Sequence, residues 1–160
     1  MKTIAIANRK GGVGKSTTAA ALVSGLTLKG YKVLAVDLDA QRNLTSTMRA
    51  RADSKTALGV LTGDITAKEA IRHTESGDII PASKNLSGAD ATLTETGKEY
   101  RLKEALEPVK GSYDYCIIDC PPALGILTVN ALTAANSLII PAQADIYSLE
   151  GIEDLQETIQ

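Results

Sequence analysis

The sequence predicts an α/β fold, a mostly parallel, doubly wound sheet with helices on both faces, and three observations carry that prediction. A glycine-rich stretch, residues 10–17, joins an apolar run, Thr3-Ile4-Ala5-Ile6-Ala7, to a helix-forming stretch over residues 16–29. Apolar, β-branched runs alternate with helical patterns along the rest of the chain, the mark of βαβ units. There is no Trp and no Phe, so the core is built from Ile, Leu, Val and Ala, which suits helices packed closely on a parallel sheet.

The first helix carries Ala19, Leu22, Val23 and Leu26 on one face, with Gly30 as its natural C-cap. Residues 32–36 read as the second strand, ending at Asp37-Leu38-Asp39. Residues 41–70 are helical but broken, with glycines at 59 and 63, and Gly77-Asp78-Ile79-Ile80-Pro81 reads as a short strand and its stop. Leu102, Ala105, Leu106 and Val109 give a helical face that Pro108 and Gly111 end. Residues 113–119 form a strand, Pro121-Pro122 leads a helix to Ala135, and Ser137-Leu138-Ile139-Ile140-Pro141 is another strand. Residues 148–160 place Ile152, Leu155 and Ile159 at helical spacing, with acids in the early turns to suit the helix dipole. That last helix is amphipathic and would expose apolar surface unless a partner covered it.

The glycine-rich stretch is Lys10-Gly11-Gly12-Val13-Gly14-Lys15-Ser16-Thr17. Its glycines free successive amide N–H groups to turn inward around one anion, and the helix that follows adds its unpaired N–H groups and positive dipole end. Lys15 supplies a full charge for the β- and γ-phosphates of a nucleotide, and the Ser16 hydroxyl is placed to ligate Mg²⁺. The usual form, G-x-x-x-x-G-K-[ST], has glycine where this chain has Arg9. Cys116-Ile117-Ile118-Asp119 is an apolar strand ending in an acid, which the topology of a parallel sheet brings to the same crevice to hold the metal.

Lys10 to Thr17 resemble the deviant Walker A box, K-G-G-x-G-K-[ST]-T, of the ParA/MinD family of P-loop ATPases. The resemblance implies that Lys10 reaches across a dimer interface to the partner's nucleotide. Asp119-Cys120-Pro121-Pro122-Ala123-Leu124-Gly125 resembles the family's second switch segment, D-x-P-P-x-x-G, with Pro121 at the nucleotide. Residues 36–43 resemble the first switch, which implies that Asp39 orients the attacking water and approaches the metal while Asp37 supports it. The commoner D-P-Q-G-N is replaced here by Asp39-Ala40-Gln41-Arg42-Asn43. If the family glycine has a positive φ, Arg42 bears strain or shifts the loop. Asn85-Leu86-Ser87-Gly88-Ala89, Tyr100-Arg101-Leu102, residues 130–135 and residues 148–151 also look like stretches of partition ATPases, read as packing and interface.

The expected site is therefore Lys10, Lys15 and Asp39 for catalysis, Lys10 to Thr17 with Pro121 for the nucleotide, and Ser16, Asp39 and Asp119 for the metal. The resemblance implies an ATP- and Mg²⁺-dependent ATPase, most similar to small Soj-type partition proteins, that switches between monomer and ATP-sandwich homodimer to position chromosome or plasmid DNA. It also implies a ParB-type centromere-binding partner and non-specific DNA contacts from the family's C-terminal region. The chain, one P-loop domain over residues 1–160, matches roughly the N-terminal two-thirds of such members, which exceed the usual domain size, so the domain is expected to be incomplete at its C-terminus.

Composition bounds the partners. With 44% hydrophobic and 22% charged residues and a net charge of −2, the chain reads as a globular domain without a broad basic face. It has no window of membrane-span length and Met1-Lys2-Thr3 leads straight into the first strand, so a cytoplasmic protein is expected, with nucleoid association as an option that the resemblance leaves open. Arg42, Arg49, Arg51 and Lys55 read as a solvated basic run, with partner binding as the alternative, and His73 as a surface residue. Cys116 and Cys120 match neither C-x-x-C nor a zinc pattern and read as reduced packing residues. Three competing readings remain: a related ATPase of the iron–sulfur carrier type, a bacterial tyrosine kinase, and a nucleotide-binding module with little turnover. The second would want C-terminal tyrosines, whereas this chain ends Glu157-Thr158-Ile159-Gln160.

Overall fold

Runs of about five apolar residues rich in Ile and Val are too short for stable helices and pair as buried strands instead. The computed structural model describes residues 1–9, 14–51, 53–142 and 146–159. Within these, six strands form one sheet: β1 (Lys2–Ile6), β2 (Val33–Asp37), β3 (Arg72–Thr74), β4 (Gly77–Ile80), β5 (Tyr115–Asp119) and β6 (Ser137–Ile139). Their spatial order is β3-β4-β2-β5-β1-β6. All neighbouring pairs are parallel except β3 with β4. The helices are α1 (Lys15–Leu28), α2 (Asn43–Thr47), α3 (Ala57–Thr62), α4 (Ala67–Ala70), α5 (Ala89–Thr92), α6 (Arg101–Leu106), α7 (Ile126–Ala134) and α8 (Ile146–Ile159).

Because side chains alternate across a strand, each run feeds two cores. Ile6, Val33, Ala35 and Ile117 meet Ala19 and Val23 of α1 and Leu44 of α2 on one face. Ala5, Leu34, Val36 and Ile118 meet Leu102, Leu106, Ile126 and Ala131 on the other. The path from β1 through α1 to β2 runs one way along the sheet, and that from β5 through α7 to β6 runs the other way. Right-handed crossovers in opposite directions must lie on opposite faces, so α1 and α7 diverge from the strand ends at a topological switch point.

The expected α1 face is present: Ala19 and Val23 are fully buried, with Leu22 and Leu26 packed at their edge. Gly30, with φ 89°, is the left-handed residue after the cap, and Tyr31 N–H donates to the Leu26 carbonyl at 3.1 Å. The broken segment resolves into α2, α3 and α4. Gly63 turns at φ 83° after α3, and Thr66 with Glu69 forms a capping box on α4.

Two features differ from the sequence reading. The strand β3 is only Arg-His-Thr, three polar residues without alternation, and it forms because the hairpin at Gly77 folds it against β4. The last helix begins at Ile146 and has no acid in its first turn. Leu155 of that helix is fully buried in the core while Ile159 is 54% exposed, and Asp154 pairs with Arg9 at 2.5 Å. Among the described residues no helix is long and apolar enough to cross a membrane.

Asn130, fully buried on α7, ties this face together. Its Oδ1 accepts from Leu102 N–H at 3.0 Å, and its Nδ2 donates to the carbonyls of Lys98 and Ile126. Replacing it strands the α6 N-terminal amide, so Asn130→Ala should cost about 2–3 kcal/mol in urea unfolding. A loss within experimental error would show that water replaces the amide.

Candidate functional site

The register of the sheet sets the site. β1, β2 and β5 end level, with Ile6 opposite Asp119 and Asp119 opposite Asp37, so two carboxylates sit on adjacent strand ends roughly 5 Å apart along the backbone pairing direction. Beside them Gly14 takes a left-handed conformation, φ 85°, and Thr18 N–H donates to its carbonyl as α1 begins. A Cβ would strain that turn. Lys10, Gly11, Gly12 and Val13, the first half of the expected phosphate loop, lie outside the described residues.

Gly14, Lys15, Ser16 and Thr17 line a cavity of about 400 Å³ with Asp39, Gln41, Asn43 and Pro122. Pro122, not Pro121, is among the lining residues. A cavity of about 750 Å³ lies against Val33, Gly77 and Asp78, at the opposite ends of β2 and β4. The chemistry favours the smaller one, where, among the described residues, the N-terminus of α1, the buried Lys15 and the Asp39 carboxylate converge.

Asp119 is fully buried. Its Oδ2 accepts from the Ser16 hydroxyl at 2.7 Å, while its Oδ1 is buried with no hydrogen-bond partner among the described residues. Burial pushes the carboxyl up to about 7, Asp37 and Asp39 push the same way, and the Ser16 hydroxyl and Lys15 oppose them. An unsatisfied carboxylate oxygen beside a serine hydroxyl is a hard-oxygen pair that suits Mg²⁺, which takes its remaining ligands from water and phosphate.

Asp37 is fully buried but points into the protein. Its Oδ2 accepts from Thr45 N–H at 2.9 Å and from the Thr45 hydroxyl at 2.7 Å, and its Oδ1 accepts from Asp39 N–H at 3.1 Å. Burial raises its pKa, with the Thr45 bonds opposing. The Thr45 hydroxyl in turn accepts from Ala82 N–H at 3.0 Å. Asp39 is half-buried at the cavity, its Oδ1 accepting from Gln41 N–H at 3.0 Å. Asp37 thus orients the turn that presents Asp39.

Arg42, which replaces the glycine of the commoner pattern, has φ 59° and ψ 31°. The loop keeps the left-handed turn, and the arginine bears the strain. Sequence reading missed Thr45, since nothing in a lone threonine eight residues past Asp37 marks it. It also missed Asp90, whose Oδ1 accepts from Ile126 N–H at 2.9 Å.

Cys116 and Cys120 are both fully buried and free. Burial raises both thiols, Cys116 to about 12, which suits packing rather than thiolate chemistry. His73 is exposed, as expected, but its Nδ1 lies 2.7 Å from Asp78, which also accepts from the Tyr113 hydroxyl.

Comparison with known proteins places this geometry. A family model described as an AAA domain matches residues 1–160. The sporulation initiation inhibitor protein Soj of Bacillus subtilis is 48% identical over 164 residues, covering 99% of this chain and 65% of the relative. The chromosome partitioning protein ParA of Myxococcus xanthus is 42% identical, covering 99% of this chain and 58% of the relative. The chain therefore spans less than two thirds of the length of these relatives. Among solved structures, cobyrinic acid a,c-diamide synthase from Mycobacterium smegmatis with bound ADP and magnesium superposes with a TM-score of 0.93 at 42% identity, covering 99% of this chain and 66% of that one.

Two outcomes test the site as drawn. With its folded pKa above the unfolded one, Asp119 binds a proton more readily in the fold, so the associated stability is present below about 4 and lost as pH rises through about 7. In metal- and nucleotide-free protein, Asp119→Asn should gain about 2–4 kcal/mol over wild type at pH 8 and almost nothing at pH 4. Urea titrations at the two pH values that give equal differences would refute it. Separately, Arg42→Gly should raise stability by about 0.5–1 kcal/mol, read as a higher urea midpoint at unchanged slope.

Proposed function

The chain belongs to the AAA domain family, among the Soj and ParA partition proteins, and from that membership we propose that it binds ATP with Mg²⁺ and hydrolyses it slowly as a partition switch. The observation that carries the reading is the Ser16–Asp119 hydrogen bond, which joins residues 103 apart in sequence and leaves Asp119 Oδ1 without a partner among the described residues, behind a serine that lines the cavity. Mg²⁺ would supply charge neutralisation between the phosphates, held by Ser16 and Asp119.

The chain's own groups do the positioning. Lys15 faces the β- and γ-phosphates from the first turn of α1, where the dipole and free N–H groups add to its charge. Asp39, held by Asp37 and Thr45, orients the water in line with the γ-phosphate. Lys10 serves the nucleotide of a second subunit, so two copies sandwich two ATP molecules and hydrolysis returns them to monomers. A ParB-type partner would read the dimer, which would track chromosome or plasmid DNA. The similarity to a diamide synthase fits a shared phosphate site, while the lysine at position 10 and the partition relatives favour the switch.

Lys10→Ala should abolish ATP-driven dimerisation in light scattering while nucleotide affinity of the monomer stays within about threefold. A mutant that dimerises normally would remove Lys10 from the partner's site. Asp39→Ala should lower phosphate release at least about 100-fold with nucleotide binding retained. Equal losses in both would make Asp39 a binding residue instead.

A further inference from the structure

Asp90 stands on α5, and the flanking residues Leu86, Ala89 and Leu93 are buried in the core, which fixes its place. It caps a helix that is not its own. Gly125 gives α7 no side-chain cap, and Asp90 Oδ1 accepts the Ile126 N–H at 2.9 Å. A Cβ on Gly125 would lie 2.7 Å from Asp90 Oδ2 and 2.9 Å from Oδ1, so the glycine ending the 119–125 loop is the space this carboxylate occupies. The other end of the loop is held where Cys120 N–H donates to the Ile6 carbonyl at 3.1 Å.

The segment that carries Asp90 is itself fastened to the first carboxylate loop. Ala82 N–H donates to Thr45 Oγ1, and Thr45 donates to Asp37 Oδ2. Pro81 O accepts from Ala57 N–H at 2.8 Å. Residues 82–90 therefore run from the support of Asp39 to the end of the loop that begins at Asp119 and places Pro122 at the cavity.

We infer that Asp90 is a positioning residue for the nucleotide site, setting the end of the 119–125 loop and bracing it, through residues 82–90, against Asp37 and Thr45. The effect on turnover rests on the proposed ATPase reading; the brace itself does not. Misplacing reacting groups by about 1 Å can cost on the order of 100-fold in rate without changing ground-state contacts, so the brace acts on kcat.

The test uses the full chain, with amide exchange of Ile126 followed by NMR and phosphate release measured over a range of ATP concentrations. Asp90→Ala should speed Ile126 exchange at least about tenfold and lower kcat about tenfold or more with KM within about twofold. Asp90→Asn keeps an acceptor oxygen and should recover most of both. Thr45→Val, which touches neither Asp90 nor Ile126, should speed Ile126 exchange at least about threefold. Wild-type exchange at Ile126 in Asp90→Ala overturns the assignment, and wild-type exchange in Thr45→Val overturns the brace. Parallel loss of kcat and affinity also overturns the positioning role. A wild-type chain that releases no phosphate refutes the ATPase reading alone, and the exchange measurements then decide Asp90.

Discussion

A carboxylate with one oxygen hydrogen-bonded and the other, among the described residues, without a partner, at the buried end of β5, is the constraint around which the rest of this protein is arranged. Burying Asp119 without a cation is unfavourable, because desolvation opposes its charge and the neighbouring Asp37 and Asp39 add to that opposition. The helix that follows β1 offsets part of this cost, since Ser16 meets Oδ2 and Lys15 favours the charged form, while β2 adds to it by bringing a second acid to the same level. A divalent cation held against phosphate would match the charge that these acids place at the strand ends.

The two loops at the cavity are held in different ways. Asp37 spends all its visible hydrogen-bonding capacity on backbone and hydroxyl donors, which converts an acid beside the site into a rigid support for Asp39. The loop after Asp119 is held by the Thr128 hydroxyl, which donates to the Ala123 carbonyl at 2.7 Å, and takes its far end from Asp90 on another element. Arg42 shows how strongly the first loop is determined. A residue that disfavours φ 59° nonetheless adopts it, because the bonds on either side leave the chain no other route into α2.

Much of this was legible beforehand. The strand–loop–helix at residues 3–29, the acid at the end of β5 and the alternation of runs all report local preference: periodicity, glycine freedom and burial of β-branched residues. Arg42 in place of glycine was legible as a source of strain, since φ preference belongs to the residue itself. The strand β3 was not, because Arg-His-Thr has no strand signal of its own and pairs only when Gly77 turns the chain back. The last helix starts two residues before the acidic stretch that marks it in the sequence, because its first turn carries no acid.

What the sequence by itself determined is the order of elements, the faces that pack and the identity of the charged residues at strand ends, because each depends on neighbours a few positions away. Which of those residues meet was decided only by the tertiary structure. Ser16 reaches Asp119, Thr45 joins Asp37 to Ala82, and Asp90 fills the space Gly125 leaves. Each contact is between polar atoms brought together by sheet register and helix packing. A single hydrogen bond between distant residues leaves no periodic trace along the chain, so no local pattern could announce it.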